Sequence, residues 1–281
     1  MSKSWLITGA SAGLGRLLSE KLLARGDRVF ATVRKAGVLD ELQRQYGSRL
    51  SVFTLDLTDT DGLRTAVAQA FARTERIDVV VSNAGYGLFG AAEELNDAQI
   101  ARQIATNLTG SIQLIRAVIP WLRQQGGGRI MQLSSEGGQT AYPNFSLYHA
   151  TKWGIEGFIE SVAQEVADFG IDFILVEPGP TGTQFASNLD YAPALASYEH
   201  NASGAMRRAL ESGSFEIKGD IDKTVETMMA FAGQAHPPLR LPLGSIAYTR
   251  IHQALSARLA ALEQLRAIAC AADITPEREG H

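Results

Sequence analysis

Tyr148 and Lys152 stand four residues apart in Tyr148-His149-Ala150-Thr151-Lys152, a spacing that puts a phenol and an ammonium on one face of a helix. A free tyrosine titrates near pH ~10, and a neighbouring positive charge favours its phenolate. The pair is therefore a tunable proton donor and acceptor. Alone, it is also an ordinary surface pair. Upstream, Ser134-Ser135 ends an apolar run, the place where open parallel sheets bind their ligands. There the Ser135 hydroxyl can hold a reacting oxygen for Tyr148, or simply cap a loop. Asn107 lies inside a long helical stretch, where an asparagine side chain competes with backbone hydrogen bonding. It either opens the helix and holds a water that relays protons through Lys152, or is an incidental polar position.

A second group near the N-terminus suits phosphate. In Thr8-Gly9-Ala10-Ser11-Ala12-Gly13-Leu14-Gly15, Gly9 permits a tight turn, Gly13 close approach of a ligand, and Gly15 close packing of helix on sheet. The helix beginning here offers free N–H groups and a positive dipole end to a pyrophosphate. The spacing differs from G-x-G-x-x-G, so a Gly-rich turn without ligand remains an alternative. At the end of the next strand a 2′-hydroxyl ribose would want a carboxylate, yet the chain reads Ala31-Thr32-Val33-Arg34. Arg34 suits a 2′-phosphate, which predicts NADP with NADPH preferred over NADH; it is equally at home as a solvated surface arginine. Asp56-Leu57 can cap an adenine amino group, while Asp56 can also start a turn or cap the following helix.

Other chemistries find little support. Five histidines and one cysteine show no metal-ligand spacing, and His149 reads as a packing or surface residue. Ser135 lacks a G-x-S-x-G elbow and a motif-backed His and acid.

These residues need a scaffold that gathers them at one edge. Short apolar runs alternate with segments of helical period, which predicts βαβ units and a parallel sheet. Strands are expected at Trp5–Thr8, Arg28–Val33, Leu50–Leu55, Ile77–Ser82, Gly128–Ser134, Ile171–Glu177 and Leu239–Leu241. Helices are expected at Leu14–Ala24, Thr60–Arg73, Asp97–Gln124, Ser146–Phe169 and Ser245–Leu265. The fold class is α/β: a Rossmann-type doubly wound parallel sheet in three α/β/α layers, with a helical substrate lid after the sixth strand. One domain over 1–281 is expected, with an irregular lid at about 184–222 and a C-terminal extension at about 245–281 that ends in a fraying polar tail.

A net charge of −4 and a pI near 5.8 give no general attraction for nucleic acid. A single cysteine, Cys270, cannot form an internal disulfide, and the chain enters its first apolar run without a signal segment. No apolar stretch reaches the ~18 residues a membrane span needs. A cytoplasmic protein without membrane insertion is expected.

Taken together, these motifs resemble the short-chain dehydrogenase/reductase family over roughly Lys3 to Thr183. The match comprises the Gly9–Gly15 turn, Ser82-Asn83-Ala84-Gly85, Asn107, Ser135, Tyr148-x-x-x-Lys152 and Pro178-Gly179 followed by Thr183, in family order. Ser82 departs from the family, which often has asparagine there. The Tyr86–Gly90 segment and the Glu177–Pro180 corner are similar to the hydroxysteroid- and retinol-dehydrogenase-like branch. The resemblance implies Tyr148 as acid-base and Lys152 as the group that orients ribose and lowers the tyrosine pKa. It further implies that Ser135 positions the oxygen and Asn107 supports the relay. Cofactor contacts follow the same way: Gly9, Ser11, Gly13, Leu14 and Gly15 at the phosphates, Arg34 at the 2′ position, and Asp56 and Leu57 at adenine. Asn83, Ala84 and Gly85 then lie along adenine and ribose, and Pro178, Gly179, Thr181 and Thr183 near the carboxamide. The implied activity is hydride transfer between NADPH and a hydrophobic ketone, aldehyde or secondary alcohol, in a homodimer or homotetramer. An NADP-binding regulator and a sugar-nucleotide epimerase or dehydratase are the competing classes; the first has little need for the complete Ser135, Tyr148, Lys152 and Asn107 set, and the second normally has a larger substrate domain.

The apolar residues after Thr183 add an expectation about substrate. Phe185, Leu189, Tyr191, Leu195 and Tyr198 can close a cover facing a wall of Tyr86, Leu88 and Phe89, or else pack into the core.

Overall fold

The apolar strand residues alternate between two layers. In the computed structural model, which describes residues 2–274, Leu6, Val80, Ile130, Phe173 and Leu175 face one core. Their neighbours Ile7, Val81, Met131, Ile174 and Val176 face the other. A strand buried on both faces has to read as a continuous apolar run, and Val79-Val80-Val81-Ser82 is buried throughout.

The central sheet has seven parallel strands: β1 (Ser4–Ile7), β2 (Arg28–Val33), β3 (Leu50–Thr54), β4 (Val79–Ser82), β6 (Gly128–Leu133), β7 (Ile171–Pro178) and β9 (Arg240–Leu243). Their spatial order is β3-β2-β1-β4-β6-β7-β9. The chain winds outward from β1 through β2 to β3, then returns to the other side of β1. This reversal opens a crevice at the carboxyl ends of β1 and β4, where doubly wound sheets bind ligands. Around the sheet lie α1 (Gly13–Arg25), α2 (Asp40–Tyr46), α3 (Thr60–Phe71), α4 (Asp97–Ile104), α5 (Gly110–Gln124), α6 (Ser146–Val166), α8 (Ile221–Phe231) and α9 (Ser245–Gln264).

The expected Asp97–Gln124 helix is interrupted by a wide π turn over Ala105–Thr109, centred on Asn107. Such single wide turns mark functional positions in other folds, and here the local opening expected of Asn107 is realised.

The segment after β7 differs from the irregular lid expected for it. Two residues form β8 (Asp190–Tyr191) and pair in parallel with β5 (Leu88–Phe89), giving a second, two-stranded sheet. Next comes α7 (Ala202–Glu211), whose first amides at Ser203 and Gly204 donate to the Asn201 side chain. α8 is capped in the same way by Asp220. The expected fraying after Leu265 gives way to a short helix, α10 (Arg266–Cys270), and a turn after it; the tail beyond Ile274 lies outside the described residues. Among the described residues no helix is long and apolar enough to cross a membrane.

Candidate active site

The first turn of α1 lies against the crevice with its amide ends open. Gly9 at φ 69° and Gly13 at φ 56° adopt the left-handed conformation that a side chain disfavours. The N-cap, Ala12, offers no side-chain acceptor, which leaves the N-terminal amides free for an anion. Gly15 serves packing, as expected, since a Cβ there would run into the Asn83 amide and the Gly9 carbonyl. Asn83 in turn stitches the turn together: its Nδ2 donates to the carbonyls of Thr8 (2.9 Å) and Gly9 (3.1 Å).

One cleft of about 880 Å³ runs from this turn to α7 and the loop after it, within the size range of ligand sites. Gly9, Ser11, Gly13, Leu14, Arg34, Asp56, Leu57, Asn83, Ala84 and Gly85 border one end. Ser135, Tyr148, Lys152, Pro178, Gly179 and Thr181 border the rest, and Thr183 faces Gly13, 3.9 Å from where a Cβ there would stand. Asp56 realises its turn alternative: its Oδ1 accepts from the amide (2.9 Å) and hydroxyl (2.8 Å) of Thr58. These bonds, and then the nearby Arg34 charge, hold its carboxyl below the usual range. The helix cap at α3 belongs to Asp59 instead.

Tyr148 and Lys152 project from one face of α6 and are buried, at 8% and 6% exposure. Burial pushes the Tyr148 phenol up to about 12, partly offset by its hydrogen bond with Ser135 and reinforced by the Glu136 and Glu156 charges. The expected lowering by Lys152 does not decide the balance. Burial also pulls Lys152 down to about 8, and its Nζ donates to the Leu133 carbonyl at 2.8 Å. Without ligand, the phenol is therefore protonated at neutral pH and available as an acid.

Asn107 is 1% exposed and does not border the cleft. Its side chain clamps the Tyr86 peptide, with Oδ1 accepting from the amide (3.1 Å) and Nδ2 donating to the carbonyl (2.8 Å). The described geometry makes it a support for the Asn83-Ala84-Gly85-Tyr86 segment. His149 is a packing residue, as expected: buried, and edge-on to Tyr142 at 4.5 Å. Among the described residues no group of His, Cys, Asp and Glu could hold a metal.

The apolar cover is built from other residues than expected. Phe185 and Leu189 do border the cleft, and Phe185 sits 5.5 Å from the Tyr148 ring. Tyr191 and Leu195 face outward, at 50% and 40% exposure, and the Tyr198 hydroxyl donates to Glu93 at 2.9 Å. On the facing wall Tyr86 borders the cleft, whereas Leu88 and Phe89 are core. Leu210, Phe215 and Ile217 complete the lining. The lid docks through missing side chains: a Cβ at Gly87 would lie 2.7 Å from the Phe185 ring, and one at Gly90 2.7 Å from Ala192.

The family profile described as short chain dehydrogenase matches residues 3–193. The chain belongs to this family. An oxidoreductase of Botryotinia fuckeliana, BOA17, is 37% identical over 245 residues, 87% of this chain and 89% of that one. A short-chain dehydrogenase structure from Streptomyces avermitilis superposes with a TM-score of 0.88 at 33% identity, covering 97% of this chain and 98% of that one. Another from Burkholderia cenocepacia, in complex with NADP, gives 0.72 at 25% identity, with 94% and 96% covered. The chain is accordingly an NAD(P)-dependent dehydrogenase or reductase.

In this short chain dehydrogenase a polar layer beneath the cleft escaped sequence reasoning. Glu136, Glu156 and Glu177 are all at most 2% exposed. Arg250 of α9 pairs with Glu136 at 2.5 Å, and Arg258 donates to the Gln139 carbonyl at 2.6 Å. Arg240 of β9 pairs with both Glu156 and Glu177 at 2.6 Å. Burial, then the Glu156 charge, raises Glu177 to about 7. The available signal was a single acidic residue at each of two strand ends, Glu136 and Glu177, and the Lys-x-x-x-Glu step from 152 to 156.

Proposed function

We propose that the chain is an NADPH-preferring reductase of hydrophobic ketones or aldehydes, with Tyr148 as the acid-base group. The observation that carries this is the convergence of Ser135, Tyr148 and Lys152 at one end of a cleft whose other end has an uncapped helix N-terminus and Arg34. The residues fit the cofactor: the left-handed Gly13, with only Thr183 within 4 Å of its missing side chain, leaves room at the α1 amides for a pyrophosphate, and Arg34 borders the cleft beside Asp56 without a carboxylate at the end of β2. NADPH, when bound, supplies the hydride.

The protein's own groups handle the oxygen and the proton. Ser135 hydrogen-bonds the carbonyl oxygen, and its hydroxyl already lies against Tyr148. Tyr148, protonated at neutral pH, gives its phenolic proton to that oxygen as negative charge develops there. Lys152, a buried cation 5.5 Å from the Tyr148 ring centre, stabilises the phenolate left behind and orients the ribose. Gly9, Ser11, Gly13, Leu14, Gly15, Arg34, Asp56, Leu57, Asn83, Ala84, Gly85, Pro178, Gly179, Thr181 and Thr183 form the cofactor wall, Gly15 by packing alone. Phe145, Phe185, Leu189, Leu210, Phe215 and Ile217 give the reacting end an apolar lining, suited to a carbonyl compound larger than acetone.

Tyr148→Phe tests the assignment. The variant is expected to keep its fold and its NADPH affinity, read by fluorescence titration, and to lose nearly all NADPH oxidation across a panel of ketones and aldehydes. Wild-type kcat in a folded, NADPH-binding Tyr148→Phe protein refutes it.

A further inference from the structure

One buried carboxylate near the proposed proton donor belongs to neither a cofactor motif nor the cleft lining. Glu156 lies one helical turn beyond Lys152 on α6 and is 2% exposed. Its Oε1 accepts from the Ser134 hydroxyl, and Arg240 Nη1 reaches its Oε2 at 2.6 Å. Lys152 donates to the carbonyl of Leu133, the residue before Ser134. Two successive residues at the end of β6 thus grip two successive turns of α6. Gly138 completes the seat, because a Cβ there would overlap the Glu156 carboxylate and lie 2.8 Å from the Ser134 hydroxyl.

The titratable and charged groups packed around Tyr148, Lys152 and Glu156 come from several elements. On α6 they are Tyr148 and Glu156; Glu136 follows β6, Glu177 ends β7, and Arg240 on the edge strand bridges Glu156 and Glu177. Burial disfavours the Lys152 ammonium, and Glu156 is the group that opposes this. A role as a mere link between Ser134 and Arg240 would need only polar atoms. Favouring the charged form of a buried lysine calls for a negative charge near it, beyond the single carbonyl that Lys152 reaches.

We propose that Glu156 is a positioning residue of the proton-transfer site, whose carboxylate keeps Lys152 an ammonium ion and ties the Ser134-Ser135 strand end to the helix carrying Tyr148. The inference rests on the assignment of Lys152 to the reacting end of the cleft. Its test follows Lys152 itself, by nitrogen-detected NMR of the lysine side chains over a pH series in the full-length protein. In Glu156→Gln the proton affinity of Lys152 should fall about tenfold. In Glu156→Asp, where the charge is retained but drawn back by one methylene, it should fall less. Glu160→Gln should leave it unchanged, since Glu160 binds Arg240 but is half exposed and makes no bond to Ser134.

The alkaline loss of NADPH affinity, read by fluorescence titration, should move to lower pH by the same factor in Glu156→Gln. Should Glu156→Gln fail to fold, Glu156→Asp carries the test alone. A Lys152 titration identical to wild type in every folded Glu156 variant overturns the proposal. A shifted Lys152 titration without any change in NADPH affinity leaves the proposal standing and removes Lys152 from the cofactor site.

Discussion

Gly138→Ala measures how tightly the seat of Glu156 is built. Gly138 is not in a left-handed conformation, so alanine meets no backbone strain there and any cost comes from its neighbours. The added methyl would occupy space held by the Glu156 carboxylate. That group cannot swing aside without leaving the Ser134 hydroxyl or Arg240. Losing one charge-assisted hydrogen bond in a buried site costs about 1.5–3 kcal/mol, and overpacking adds about 1–3 kcal/mol. A total of about 2.5–6 kcal/mol, at about 2–4 °C per kcal/mol for a chain of this size, lowers Tm by about 5–24 °C. Gly157→Ala is the matched control. It lies next to Glu156 in sequence, a Cβ there meets nothing within 4 Å, and replacing a mid-helix glycine gains about 0.5–1 kcal/mol. Thermal melts followed by circular dichroism should therefore separate the two variants in opposite directions. A Gly138→Ala protein melting within about 2 °C of wild type would refute the close fit inferred for Glu156.

Other consequences are as direct. Arg34→Gln should lower kcat/KM with NADPH about tenfold or more and leave NADH unaffected, since it removes only a charge-assisted bond to the 2′-phosphate; equal kcat/KM for both cofactors in the wild type would sink the preference. Along a series of lengthening aliphatic ketones, kcat/KM should climb severalfold until the Phe185–Ile217 end is full, at up to about 0.8 kcal/mol per buried methylene. A flat series with better turnover of small charged keto acids contradicts the apolar lining. Burial holds His149 at about 4, below the ordinary imidazole value of 6.5, so the unfolded chain binds the extra proton in that window, and the stability present above pH 6.5 is lost as pH falls toward 4. The loss is about 3 kcal/mol, and His149→Phe should make Tm visibly less sensitive between these pH values; an unchanged pH dependence rejects the assignment.

The main sheet was legible because each strand carries its own signal. Val79-Val80-Val81 and Phe173-Ile174-Leu175-Val176 are apolar on both faces, and a helical period separates one from the next. Asn107 also announced its wide turn, through the conflict between its side chain and helical bonding. What stayed hidden depends on partners distant in sequence. β5 and β8 are two residues each, too short for any periodicity, and they exist because Gly87 and Gly90 let the lid approach. Helix α7 was signalled only by Asn201, and α2 is brief, with one buried residue, Leu42. Glu136, Glu156 and Glu177 look like surface residues in sequence, since the arginines that neutralise them lie 63 to 114 positions away. The cleft motifs were found because they are local, whereas the charge balance beneath them is not.

The place of Arg240 bears on how the molecule comes into being during synthesis. Among the described residues β9 is the outermost strand of the sheet and pairs only with β7, yet it delivers the cation shared by Glu156 and Glu177. Until about residue 240 has left the ribosome, a nascent chain that had already assembled β1 to β7 would hold two acidic groups under its crevice with no guanidinium between them. Uncompensated buried charge is expensive, so such an intermediate keeps those carboxyls protonated or hydrated and its crevice loosely organised. Docking of the last strand then brings in the guanidinium that Glu156 and Glu177 share, so the charge balance under the crevice is completed by the edge of the sheet and not by its centre.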